Sequence, residues 1–314
     1  MRRHKGYSGL APTDRGAAVA IGNFDGVHLG HQALLSLARA EAERLGAPLG
    51  VVTFSPHPRR FFRPDAPPFR LQTDEGRARR LAELGVEQLY ELPFDEALAA
   101  LPAEAFVSEV LHGALGVRHL AAGADFHFGR GRRGDCALAA RIGPDLGIGV
   151  SVAPLLAVGG EEASSSAIRA ALTAGLPEEA ARFLGGWHRI EGVVEHGDAR
   201  GRDLGFPTAN LALGDLHRPR FGIYAALVDV LDGPHAGRRL GAASIGERPT
   251  FGAQEANLEV HLLDFSGDLY GATLSVALVA WLRPELKYEG VEPLIAQIGR
   301  DVAEARARLA GVAA

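Results

Sequence analysis

The first half of the chain alternates short apolar runs with segments whose apolar residues recur at helical spacing. Residues 17–21 (Ala-Ala-Val-Ala-Ile) form a continuous apolar run, the pattern of a strand buried on both faces. After it, Ala33, Leu34, Leu37, Ala38, Ala42 and Leu45 recur at three- and four-residue intervals, which predicts an amphipathic helix. The alternation continues with predicted strands at 49–54, 86–92, 117–123 and 149–155 and predicted helices at 74–84, 103–115 and 136–146. Two further helices are predicted at 166–175 and 177–184. This pattern predicts an α/β domain: a parallel sheet with helices on both faces and ligands at the carboxyl ends of its strands.

From Trp187 the period changes. Short alternating segments dominate at 190–195, 223–231, 241–245, 258–263 and 274–280, separated by turn residues such as Asp232-Gly233-Pro234. They predict a small antiparallel β-barrel. One long amphipathic helix closes the chain, with Val291, Leu294, Ile295, Ile298, Val302, Ala305 and Leu309 on one stripe, expected to pack on the barrel. No internal repeat is visible. The domain boundary is expected near Gly185, giving domains 1–184 and 185–314, and residues 64–69 read as a stiff Pro-rich loop.

Composition narrows the class. At 314 residues, each domain is long enough to bury its own core. A net charge of −5 argues against a nucleic-acid or membrane-surface protein. The single cysteine, Cys136, rules out an internal disulfide. No apolar run approaches the roughly 18 residues of a membrane helix. The basic start, Met1-Arg2-Arg3-His4-Lys5, lacks an apolar continuation, so a cytoplasmic protein is expected. The sequence leaves both a monomer and a homo-oligomer open.

Three stretches carry candidate chemistry. In the second domain, residues 197–211 combine Gly197, Gly201 and Gly205, which let a backbone approach a phosphate chain, with the charges of Arg200 and Arg202. Beyond Pro207, Thr208 and Asn210 stand two positions apart, so on an extended segment their oxygens face the same way as hard ligands for Mg²⁺. The plain alternative is a solvated turn. Glu259 alternates with Leu258 and Val260, so a strand would turn it away from the core, either toward solvent or toward a reacting hydroxyl. His261 beside it reads as a structural partner.

In the first domain, Gly22-Asn23-Phe24-Asp25-Gly26-Val27-His28-Leu29-Gly30-His31 joins the first strand to the first helix, a natural anion site. His28 and His31 can point together at a phosphate and stabilise a pentavalent α-phosphate. Half of a zinc site and a structural pair are the alternatives, and no cysteine or HExxH completion is present. The third stretch, Ser164-Ser165-Ser166 with Arg169, opens a predicted helix, where it can hold β- and γ-phosphates or simply cap the helix.

The 201–211 stretch resembles the signature of riboflavin kinases. The likeness continues through residues 222–225, 244–252, 258–265, 268–271 and 282–285 to Gln297 and Ile298. The 22–31 stretch resembles the His-x-Gly-His motif of adenylyl- and cytidylyltransferases. Its wider context, residues 53–58, 123–129, 132–135 and 164–169, resembles the FMN adenylyltransferase half of bacterial bifunctional FAD synthetases, so the resemblance covers roughly residues 16–310. It implies a Rossmann-like nucleotidyltransferase domain and a riboflavin kinase barrel. It also implies that ATP and Mg²⁺ serve to make FMN from riboflavin and then FAD from FMN.

The resemblance assigns Glu259 as the base on the ribityl hydroxyl, and His28 and His31 as adenylyl-transfer catalysts. It places ATP against Gly22, Asn23, Phe24, Asp25, Gly30 and the serine element in one domain, and against Gly197, Arg200, Gly201, Arg202, Gly205, Pro207, Thr208 and Asn210 in the other. It further implies flavin contacts at Asp125 for the adenylyltransferase and at Arg283 and Glu285 for the kinase. Glu161-Glu162-Ala163 stands where relatives often carry Arg or Lys, Ser166 replaces Thr, Ser244 replaces Asn, and Gly186-Trp187-His188 replaces Arg-Pro-aromatic. Three other readings stay open: a riboflavin kinase with a weak or inactive adenylyltransferase domain, a non-catalytic flavin-binding regulator, and a cytidylyltransferase.

Overall fold

The computed structural model describes residues 1–197, 201, 204–250 and 253–312. The chain divides into two compact units, Met1–Ala66 with Asp74–Ala163, and Pro67–Thr73 with Ser164–Ala314.

The first unit is built on six parallel strands: β1 Arg2–Lys5, β2 Ala18–Ile21, β3 Leu49–Ser55, β4 Gln88–Pro93, β5 His119–Gly123 and β6 Gly149–Ala153. Their order is β1-β4-β3-β2-β5-β6. The helices are α1 Leu29–Leu45, α2 Pro58–Phe62, α3 Asp74–Glu83, α4 Glu96–Ala100, α5 Ala103–Ala105 and α6 Cys136–Ile142, and α5 runs on into a π-helix at Phe106–Ala114. Strand periodicity distributes the core. Val19 and Ile21 of β2 pack with Val107, Leu111 and Ala139, while Ala18 and Ala20 pack with Leu34, Ala38, Ala78 and Leu81. Both faces are covered, which is why the strand sequence shows no polar alternation.

From β2 the chain steps outward through β3 to β4, then returns to the other side of β2 as β5. The strand order therefore reverses between β2 and β5, and the carboxyl ends of that pair flank the usual ligand crevice of such sheets. The loop after β2 ends at His28, the first turn of α1 carries His31, and the loop after β5 carries Asp125.

Strand β1 was not expected from the sequence, because Arg-Arg-His-Lys has no apolar residue. It is an edge strand held by charge. Arg3 pairs with Glu91 of β4 and Glu75 of α3, and Glu91 also meets Arg77, only 1% exposed, at 3.1 Å. The predicted strand at 149–155 stops at Ala153, and a two-stranded hairpin follows, β7 Ala157–Val158 with β8 Glu161–Glu162.

The second unit opens with α7 Ser165–Ala174 and α8 Pro177–Leu184. Its six antiparallel strands are β9 Arg189–Val193, β10 Ala209–Ala212, β11 Gly222–Val230, β12 Gly237–Thr250, β13 Ala253–Leu262 and β14 Thr273–Arg283, followed by α9 Val291–Leu309. The order β10-β13-β12-β11-β14-β9 is nearly closed by a bridge in which the Glu195 N–H donates to Asn210 O at 2.9 Å. Register shifts between β11 and β14 at Ile223/Tyr224 and Ala225/Ala226 add the curvature that closure needs. Tyr224, Ala226, Val228, Leu258, Val260 and Val276 fill the interior. On the outside, Ala225, Leu227, Ala277 and Val279 meet Ala305 and Leu309 of α9.

The stripe on α9 packs only in part. Asp301, Ala305 and Leu309 are buried, whereas Val291 is 51% and Ile295 37% exposed. Packing begins where Arg283 of β14 donates to both Asp301 oxygens, at 2.8 and 2.5 Å, with Gln297 donating to the same carboxylate at 2.8 Å. In the turns before this ion pair, Leu294 and Ile298 are half-buried.

Burial, with a smaller contribution from His217, pulls the pKa of His188 down to about 3. The folded value lies below the unfolded one of about 6.5, so the unfolded chain takes up the proton first as pH falls. Stability is therefore complete above about pH 6.5 and is lost toward pH 3, at up to about 1.4 kcal/mol per pH unit. The unfolding midpoint of His188→Leu should fall less between pH 7 and pH 4 than that of the wild type. Identical slopes would remove His188 from the acid response.

Candidate active sites

In the first unit, the loop after β2 is strained and buried. Phe24 sits at φ 50° and Val27 at φ 45°, a conformation costing roughly 1–3 kcal/mol each and most costly for a β-branched residue such as Val27. Gln32 Nε2 donates to Val27 O at 2.9 Å, and Thr53 Oγ1 donates to Asn23 O at 3.1 Å. The rings of His28 and His31 stack with centroids 3.7 Å apart, and Phe24 lies 4.8 Å from His31. Burial, reinforced by the neighbouring His28, holds His31 well below the ordinary histidine value. Its Nδ1 is shut off from solvent with no hydrogen-bond partner among the described residues.

The other expected residues of this loop are placed as follows. Asp25 is buried and Asn23 exposed. The Gly22 N–H donates to Val52 O at 3.1 Å and is thereby used within the sheet. Gly30 lies in the first turn of α1. Asp125 is exposed beyond the end of β5, where its main-chain oxygen accepts from His127 Nδ1 at 2.8 Å. The acidic pair Glu161 and Glu162 is exposed on β8.

In the second unit, Asn210 lies on β10 and Thr208 immediately precedes that strand. Asn210 lies directly opposite Glu259 across the β10–β13 ladder, and Ser244 of β12 lies opposite Glu259 on the other side. Thr208 Oγ1 donates to Glu259 Oε2 at 3.4 Å, and Asn257 Nδ2 donates to Asn210 Oδ1 at 3.1 Å. Thr208, Asn210, Asn257 and Glu259 thus share one polar patch on the face opposite buried Leu258 and Val260. His261 Nδ1 donates to Pro207 O at 2.8 Å and pins the entering loop.

Two glycines of that loop are required by close approach. A Cβ on Gly201 would lie 2.4 Å from Phe206 O, and one on Gly197 would lie 2.4 Å from Asn210 Nδ2. Gly205 has φ +83° and open space around it. Arg200 and Arg202 lie outside the described residues, as do Phe251 and Gly252 of the 244–252 motif.

Arg283 is engaged by Asp301, so its guanidinium braces α9. The Glu285 carboxyl is raised by loss of solvent around it, opposed by a hydrogen bond with Ser244 and reinforced by the charge of Glu259. Glu285 therefore belongs to the Glu259 patch.

The serine element lies in the second unit. Ser164 caps α7, its Oγ accepting from the Ala167 N–H at 3.3 Å, while Ser166 is exposed. Arg169 Nη1 donates to Phe69 O at 3.4 Å.

Sequence reasoning missed Asn257, although its place two residues before Glu259 is a same-face signal. It also missed the strain at Val27 and Phe24, for which residue types give no signal. Among the described residues, no group of three or more His, Cys, Asp or Glu side chains could hold a metal ion.

A parallel sheet with a histidine loop at its reversal point, and a separate barrel with Thr-x-Asn facing a glutamate, define a two-domain nucleotide-dependent transferase. The FAD synthetase family profile matches residues 10–167 and the riboflavin kinase profile matches residues 184–309. The chain is 43% identical to a bifunctional riboflavin kinase/FMN adenylyltransferase of Pseudomonas fluorescens, over 98% of this chain and 97% of that protein. It is 41% identical to the protein of the same name in Escherichia coli K12, over 98% and 97%. For the Bacillus subtilis protein of that name the identity is 36%, over 92% and 91%. A crystal structure of a macrolide-efflux protein from Streptococcus pneumoniae matches with a TM-score of 0.83 at 31% identity, over 97% of this chain and 98% of that one. No described helix of the present chain is long and apolar enough to cross a membrane. The chain belongs to the bifunctional riboflavin kinase/FMN adenylyltransferase family.

Proposed function

We propose that this chain makes FAD from riboflavin in two ATP-dependent steps, the first in the barrel and the second in the α/β domain. The observation that carries the reading is the polar patch of Thr208, Asn210, Asn257 and Glu259 across β10 and β13. In the first step Glu259 accepts the hydrogen bond of the ribityl hydroxyl as its oxygen attacks the γ-phosphorus of ATP, and ADP leaves. Thr208 and Asn210 supply neutral oxygens to the metal–nucleotide complex. Two neutral oxygens fit Mg²⁺, which keeps several waters and substrate phosphates among its ligands. When bound, that ion would neutralise charge on the β- and γ-phosphates. The hydroxyl and amide oxygens of Thr208 and Asn210 suit it, and Gly197, Gly201 and Gly205 present no side chain to hinder approach of the phosphates.

In the second step a phosphate oxygen of FMN attacks the α-phosphorus of ATP, and pyrophosphate leaves. His28 and His31 stabilise the charge that builds on the α-phosphate, with His31 acting as a neutral donor because burial keeps it unprotonated near pH 7. Ser165, Ser166 and Arg169 hold the β- and γ-phosphates. Asp125 orients the flavin of this step and Glu285 that of the first. A soluble cytoplasmic enzyme with small-molecule substrates fits this reading.

The test is to incubate the protein with riboflavin, ATP and Mg²⁺ and to separate riboflavin, FMN and FAD by chromatography. FMN should appear first and FAD later. FMN without FAD would leave a riboflavin kinase alone, and consumption of neither substrate would leave a flavin-binding protein.

Combining Thr208→Ala with Asn210→Ala should raise the Mg²⁺ concentration needed for half-maximal riboflavin phosphorylation, because two hard oxygens are lost. An unchanged Mg²⁺ dependence would show that these side chains do not serve the metal–nucleotide complex.

A further inference from the structure

The connection between β10 and β11, residues 213–221, grips Arg169 from two directions. The first grip is on its main chain. His217 Nε2 lies 3.1 Å from both Arg169 O and Thr173 Oγ1, and Thr173 Oγ1 itself donates to Arg169 O at 2.9 Å. A carbonyl only accepts, so Nε2 is the protonated nitrogen of a neutral ring. Burial and the neighbouring Arg169 charge both lower the pKa of His217, which keeps the ring in that form at neutral pH.

The second grip is on the side chain. Arg169 Nη1 donates to Phe69 O at 3.4 Å. Phe69 is buried and is itself fixed by the connection: the Phe69 and Arg70 N–H groups both donate to Asp215 O at 3.2 Å, and the His217 N–H donates to Arg70 O at 2.7 Å. The connection is anchored in turn to α7 beyond Arg169, where the Arg220 N–H donates to Leu172 O at 2.9 Å. Its contacts thus converge on one helical turn of α7.

We propose that His217 is a positioning residue for adenylyl transfer: it sets the placement of Arg169, and through it the affinity for the ATP triphosphate during FAD synthesis. The proposal rests on the reading of Arg169 as a triphosphate contact. A guanidinium on an exposed helical face samples many rotamers. Fixing both its backbone and its fork in advance removes that ordering cost from the binding step. Nothing comparable follows for riboflavin phosphorylation, whose candidate residues lie on β10, on β13, in the loop before β10 and, at Glu285, just beyond β14.

His217→Phe keeps the bulk of the ring and removes the donor. His217→Gln restores an N–H at similar reach. With FMN supplied, the KM for ATP in FAD formation should rise about tenfold in His217→Phe, with kcat changed less than twofold, and should return most of the way in His217→Gln. Riboflavin phosphorylation, measured on the same preparations, should keep its KM and kcat and reports the folding of the unit that holds both His217 and the barrel. Adding His217→Phe to Arg169→Ala should raise KM no further than Arg169→Ala alone, because the two residues act as one.

An unchanged KM in His217→Phe beside a raised KM in Arg169→Ala would overturn the positioning role while sparing Arg169. An unchanged KM in Arg169→Ala would remove Arg169 from the triphosphate site, and the role of His217 with it. Equal losses in both reactions, or full additivity in the double variant, would show that His217 only holds the fold.

Discussion

Glu259→Gln is expected to lower riboflavin phosphorylation by about 10²- to 10⁴-fold, the usual range for loss of a general base, while FAD formation from supplied FMN stays at the wild-type level. The substitution keeps the size of the side chain and leaves a carbonyl oxygen for the Thr208 hydroxyl, now 3.4 Å from Oε2, so the patch on β10 and β13 survives. Only the negative charge and its proton affinity are lost. The strand itself is secured by Leu258 and Val260 on its other face, both fully buried. Comparison of both reactions on one preparation decides the matter. Near-normal kinase activity in the variant would show that the carboxylate is a structural neighbour of Thr208.

The second large effect is expected at His31. His31→Ala should reduce FAD synthesis by about two orders of magnitude, corresponding to roughly 3 kcal/mol for one pre-organised donor, and should spare riboflavin phosphorylation. The ring stacks on His28 and lies tilted against Phe24, so truncation also leaves a void. That cost falls on stability and would touch both reactions through the yield of folded protein, which the kinase rate monitors. The pH profile adds a check. Burial keeps His31 neutral far below the ordinary value, so FAD synthesis should show no loss attributable to this ring between pH 8 and pH 6. Parallel loss of both activities in the variant would assign His31 to the fold.

The parts of the molecule visible in the sequence are those where one physical demand dominates. Residues 17–21 read as a buried strand because apolar packing on both faces leaves no room for a polar position. The spacing of Thr208 and Asn210, and the alternation around Glu259, both rest on the two-residue period of a strand, and the ladder pairs Asn210 directly with Glu259. Strand β1 was invisible for the opposite reason. It contributes no apolar residue and is held by Arg3 against Glu91 and Glu75, partners 88 and 72 positions away. Strand β10 was too short to show an alternation. The stripe on α9 was read correctly as amphipathic, yet periodicity cannot say where the covering sheet ends. The π-helix at Phe106–Ala114 gives nearly the same apolar recurrence as an α-helix. The left-handed backbone at Val27 runs against residue preference, as a functional loop can when its surroundings hold it.

The grouping of α7 and α8 with the barrel changes how gene dissection should be interpreted. A cut after Leu184 looks natural, because the riboflavin kinase profile begins at residue 184. Such a cut removes the helices against which the barrel's own residues are seated: Arg220, stacked 4.0 Å over Trp281, would lose the main-chain acceptor Leu172 O. A truncated allele would therefore carry a folding lesion as well as a missing activity. Complementation between two half-genes split at that point would fail for reasons unrelated to catalysis, and single-residue alleles are the cleaner way to separate the two reactions in a cell.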